Sequence, residues 1–159
     1  GVLVEGEDAR LGGDTGAWPD AGVVNTVLGA NTPIIGIGEG GTRFLDTVPG
    51  LFIGWGQSGV GAETHGVVVG GNIYTYPYNF NVVPGNTIAI YSPAVSTVEL
   101  YDPTGVSDRM LRSLTLSNYY PVAREAGRYY QWGYYGSPSA MTQAGKNLFT
   151  NLVFRTLVP

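Results

Sequence analysis

The sequence predicts an α/β domain, and three features carry that prediction. Thr32 to Gly38 (TPIIGIG) has the length and apolar content of a buried strand, and it runs into Glu39-Gly40-Gly41 and a short amphipathic stretch, TRFLD. Near the other end, Tyr129 to Tyr135 (YYQWGYY) reads as a strand that leads through GSPSAM into a helical pattern. Between them lie short apolar or alternating runs punctuated by Gly, Pro and Asn, the signature of antiparallel hairpins or a meander.

Taken in order, Gly1 to Glu5 (GVLVE) suits a short buried strand, and Gly6 to Pro19 is a polar, glycine-rich loop. Asp20 is placed to cap a helix over Ala21 to Leu28, where Val23, Val24, Val27 and Leu28 fall at helical spacing. Gly29 and Asn31 end it. After the TPIIGIG strand and its turn, the strand-like runs are LFIGW, HGVVVG, NIYTYPYNF, NTIAIYS and STVELY. The last helix spans Thr142 to Leu157, with Leu148, Phe149, Leu152 and Val153 as its apolar residues. No internal repeat interrupts this order.

At 159 residues a single domain is expected. Charged residues are only 13% of the chain, about half the usual share. Such a surface relies on hydroxyls, amides and backbone, which fits an extracellular or cell-surface, self-associating protein better than a cytosolic enzyme. The net charge of −4, with eight scattered cations, argues against nucleic acid as a partner. The longest apolar runs are strand-sized, far below the roughly 20 residues of a membrane-spanning helix. The absence of cysteine excludes disulfides, thiolate metal sites and a cysteine nucleophile. A start at Gly1 with no visible signal peptide points to a processed or trimmed chain.

Two segments, Thr32 to Gly41 (TPIIGIGEGG) and Gly127 to Pro138 (GRYYQWGYYGSP) with the helix containing Gly145, Leu148, Phe149 and Asn151, resemble class I glutamine amidotransferase-like proteins. The first is similar to that superfamily's nucleophile turn, in which a sharp strand-to-helix bend lifts one side chain above the sheet. The second is similar to the terminal strand that delivers the catalytic histidine and glutamate. The resemblance implies a flavodoxin-like parallel core carrying an antiparallel β-rich insert over residues 51–116. It also implies that two N-terminal β-α units either lie outside the chain, on a longer precursor or a partner, or are absent from an abbreviated core. Glu39 stands at the cysteine position, Tyr134 or Tyr135 at the histidine, and Ser137 and Pro138 near the glutamate. Read through the resemblance, the chain is therefore a pseudoenzyme.

Several residues merit testing as sites. Glu39, with His65 or Tyr135, could serve a divergent hydrolase acting on a carbohydrate or peptide; equally, an acid at a helix N-terminus is favourable with no catalytic purpose. A Glu39–His65 pair is a poor metal site, and no metal site is assigned. Glu7, Asp8 and Asp14 could offer oxygens to Ca²⁺, but they miss the spacing of a calcium loop, so no cofactor is expected. Tyr74, Tyr76 and Tyr78 alternate along NIYTYPYNF and, on a strand, would share one face; Tyr134 and Tyr135 add to the aromatic set. Such a face could stack on sugar rings or pack against another chain.

The function expected from these features is a non-catalytic extracellular structural or binding module. It would associate with itself as a homo-oligomer, with its missing N-terminal half, or with a larger protein. A hydrolase using Glu39 and a carbohydrate-binding module are the alternatives, the latter with glycans as partners.

Overall fold

The computed structural model describes residues 3–5, 21–47, 49–53, 59–105 and 107–157. Its elements are β1 (Leu3–Glu5), α1 (Ala21–Gly29), β2 (Ile34–Ile37), α2 (Gly38–Thr47), β3 (Gly59–Glu63), β4 (His65–Val68), β5 (Thr87–Ala89) and β6 (Val95–Val98). There follow β7 (Leu100–Tyr101), β8 (Asp108–Ser113), β9 (Tyr119–Tyr120), β10 (Val122–Glu125), β11 (Tyr129–Trp132) and α3 (Gln143–Leu157). Seven strands form one sheet in the order β1-β2-β11-β10-β8-β4-β5, while β3-β6 and β7-β9 form small two-stranded sheets.

The expected flavodoxin-like parallel core is not what the chain forms. Only β1, β2 and β11 run parallel to one another; the other four pairings of the large sheet are antiparallel. The reason lies in the connections. A parallel neighbour requires a crossover of roughly a dozen residues or more. Only residues 126–128 link β10 to β11, and Ala126 and Gly127 take left-handed φ of 48° and 73° to close that turn. Within residues 51–116, β4, β5 and β8 do not form a body set upon a parallel core. They extend the same sheet, with Val68 opposite Leu111 and Leu111 opposite Val122.

Alternation along the strands sorts side chains onto two faces. Ile35, Tyr130, Val122 and Leu111 join Leu148 and Leu152 of α3 in one buried cluster. Their neighbours Ile34, Tyr129 and Ala123 join Phe44 and Leu45 of α2 in the other. The central sheet is thus covered by α3 on one face and by α2, with Val27 of α1, on the other. Trp132 is fully buried and meets Phe149 edge-on at 5.1 Å and Tyr134 at 5.5 Å. Pairs of this kind are worth about 0.5–1.5 kcal/mol beyond area burial.

Candidate functional site

The predicted turn after the TPIIGIG strand is present: β2 ends at Ile37 and α2 begins at once with Gly38. The left-handed residue is Gly38, at φ 59°, a conformation that glycine adopts at little cost. Glu39 therefore sits within the helical first turn rather than at the apex of the bend. Its carboxylate is 3.6 Å from the Arg43 guanidinium one turn on, both side chains being about a third exposed or less. An i, i+4 pair at a helix N-terminus is a stabilising arrangement in its own right, worth a few tenths of a kcal/mol.

The other proposed catalytic partners have local roles. His65 Nδ1 lies 2.7 Å from the Thr64 hydroxyl, and its backbone belongs to β4. The Tyr135 amide donates to the Ser96 carbonyl at 3.1 Å. Tyr134 is fully buried, and its hydroxyl donates to the His65 carbonyl at 3.3 Å. Burial, with the nearby Glu63 and Glu99 carboxylates, pushes the Tyr134 phenol far above its ordinary value. Glu7, Asp8 and Asp14 lie outside the described residues. Among the described residues, no three His, Asp or Glu side chains are placed to hold a metal ion, and no helix is long and apolar enough to cross a membrane.

The tyrosines of NIYTYPYNF do not share a strand face. The segment forms successive turns, which direct Tyr74 inward and leave Tyr76 and Tyr78 outside. Tyr74 donates to the Met110 carbonyl at 2.6 Å, and burial raises its phenol well above the usual value. Tyr76 and Tyr78 are 65% and 45% exposed. The turns are held by Asn151 of α3, fully buried, whose amide donates to the Ile73 and Tyr78 carbonyls at 2.8 and 2.7 Å. Its carbonyl oxygen accepts from the Tyr78 amide at 2.9 Å. Asn151→Ala would remove the partner of one buried and two part-buried backbone groups, so we expect a loss of about 2 kcal/mol in urea unfolding. Faster hydrogen exchange should be confined to residues 72–80; an unchanged midpoint would count against this anchoring role.

The anchored loop and the end of α3 enclose a groove of about 430 Å³, lined among the described residues by Asn72, Thr75, Tyr76, Phe154 and Arg155. Tyr76 and Phe154, both in its lining, meet edge-to-face at 5.9 Å. Clefts of about 300–1,000 Å³ are typical of small-ligand sites. Asn72 also lines a smaller hollow of about 290 Å³, where the Arg124 guanidinium pairs with Asp108 at 2.5 Å.

A second group of polar residues is sealed inside. Glu63 accepts from the Ser113 hydroxyl at 2.5 Å and from the Leu114 amide at 3.1 Å. Glu99 accepts from the Thr97 hydroxyl at 2.9 Å, while its other oxygen is buried with no hydrogen-bond partner. Burial first, and the Glu63 charge second, raise the Glu99 carboxyl to about 7. Neither Glu99 nor the α3 side of the groove stands out in the sequence. The available signals were a single acid inside the apolar run VELY, and Phe154 off the apolar stripe of α3.

Comparison with known proteins finds no matching family model, no matching curated protein and no matching solved structure.

Proposed function

We propose that this chain is a non-catalytic extracellular binding module that contacts its ligand through the Tyr76–Phe154 groove. One observation carries the reading: two exposed aromatic rings converge over a groove whose wall is pinned from beneath by a buried asparagine. Solvent does not favour such rings, and exposed aromatics on a pre-formed loop are the usual anchors of contact surfaces. The pairing of Glu39 with Arg43 also supports a structural use of that carboxylate. The low charge of the chain, 13% of residues, is the ground for placing it outside the cell.

The test is migration of the purified chain in native gels cast with individual polysaccharides, alongside light scattering of the same sample. Retardation in at least one gel, abolished by Tyr76→Ala and kept by Glu39→Gln, is expected. Release of sugar or peptide fragments that disappears in Glu39→Gln would instead establish the hydrolase. Self-association is a second reading, favoured by β1, which ends the sheet with one side unpaired among the described strands. A scattering mass that is a multiple of 16.8 kDa and is insensitive to Tyr76→Ala would support it.

A further inference from the structure

We infer that Tyr101 and Tyr119 form a site of oxidative cross-linking, at which hydrogen peroxide, acting through a haem peroxidase, joins the two phenols. β7 and β9 set the rings side by side, with Tyr101 directly opposite Tyr119 in a ladder of two residue pairs. The ring centroids are 5.0 Å apart and the planes are tilted by 40°. Aromatic pairs usually lie about 4.5–7 Å apart, so this one is at the close end. Two rings joined through ring carbons have centroids only slightly closer than this, so coupling needs little movement of either strand. Tyr101 is 45% exposed and Tyr119 is half-buried, which opens the pair to a one-electron oxidant. A second tyrosine pair, Tyr91 and Tyr134 at 5.8 Å, is buried, and its hydroxyls donate to the Gly136 and His65 carbonyls. Tyr76 is more exposed than Tyr101, but its ring meets Phe154 rather than another phenol.

The chemistry balances with nothing from the chain beyond the two rings. Each phenol gives up one electron and one proton, and the resulting phenoxyl radicals couple at ring carbons ortho to the hydroxyls. One carbon–carbon bond forms. The hydrogen on each coupled carbon then moves to the phenol oxygen, which restores both aromatic rings. The two hydrogen atoms removed reduce one hydrogen peroxide to two waters. The new bond closes the loop of residues 102–118 and holds β7 to β9, where the backbone ladder is short. This is the kind of constraint that a disulfide supplies, and the chain has no cysteine to make one.

The experiment treats the purified chain with limiting hydrogen peroxide and a haem peroxidase, then reads dityrosine fluorescence, intact mass and the peptides left by cleavage after arginine. A monomeric product lighter by two hydrogens is expected, with residues 44–109 and 113–124 joined through Tyr101 and Tyr119. Its yield per chain should not change on dilution, because both rings belong to one chain. Tyr101→Phe and Tyr119→Phe should each abolish this product, while Tyr76→Phe leaves it unchanged. Phenylalanine keeps the ring, and circular dichroism checks that each variant is folded. Coupling between chains alone, seen as covalent dimers whose yield rises with concentration, would overturn the inference. A monomeric product linked at other tyrosines, or no coupling, would overturn it as well. Neither tyrosine is in the described lining of the Tyr76–Phe154 groove, so these outcomes leave the binding-module reading to its own test.

Discussion

Gly133→Ala is expected to prevent folding or to cost about 4 kcal/mol or more, a large part of the 5–15 kcal/mol that holds a typical domain together. A methyl group at this position would sit 1.8 Å from the Val98 carbonyl oxygen and 3.1 Å from that of Pro121. Both obstacles are backbone, and neither can move freely. The Gly133 amide donates to Pro121 at 2.7 Å, the Val98 amide donates to the Gly133 carbonyl at 2.8 Å, and the Gln131 side chain donates to the Val98 carbonyl at 3.2 Å. Relieving the clash therefore breaks the hydrogen bonds that join the end of β11 to β6, beside the buried Glu99, and to Pro121 between β9 and β10. Gly29→Ala is the control, because its added methyl meets nothing within 4 Å. Soluble yield and urea midpoints of the two variants decide the matter. A Gly133→Ala protein as stable as Gly29→Ala would refute the close approach.

The contrast between these glycines shows what the sequence could convey. Ile34 to Ile37, the turn into α2, the strand at Tyr129 and the final helix were legible, because each is coded by local apolar spacing and glycine placement. The pairing partners were not. β8 (DRMLRS) and β10 (VARE) are the strands that turn the sheet antiparallel, and their charged residues hide the alternation. In the structure those charges are accommodated locally: Arg124 pairs with Asp108, and Arg109 reaches the Tyr120 hydroxyl at 3.3 Å. The tyrosine row failed for a related reason. Alternation in NIYTYPYNF reads as a strand, but the Asn151 side chain supplies the hydrogen bonds that a neighbouring strand would have made. Such a long-range side-chain substitute for a ladder leaves no mark on local periodicity. Half of the groove was therefore visible as Tyr76, and the half contributed by Phe154 and Arg155 was not.

Glu99→Gln is expected to remove most of the pH dependence of stability near neutrality. The Glu99 carboxyl is raised from 4.5 to about 7, by burial first and by Glu63 second. The folded state therefore holds this proton more tightly than the unfolded chain does. Between those two values the folded state binds more protons, so stability falls as pH rises. The contribution is fully present below about 4.5, is lost progressively through the window and is gone above about 7. At about 1.4 kcal/mol per pH unit, the window corresponds to roughly 3 kcal/mol as an order of magnitude. Glutamine keeps an oxygen to accept from Thr97 and carries no charge to be desolvated, so it imitates the protonated acid. Urea unfolding at pH 5 and pH 8 should show the variant close to wild type at the lower pH and more stable by about 2–3 kcal/mol at the higher. Parallel losses in both proteins between the two pH values would mean that Glu99 is ionised in the folded state. The sealed carboxyl would then need a compensating donor at the oxygen that has none among the described residues.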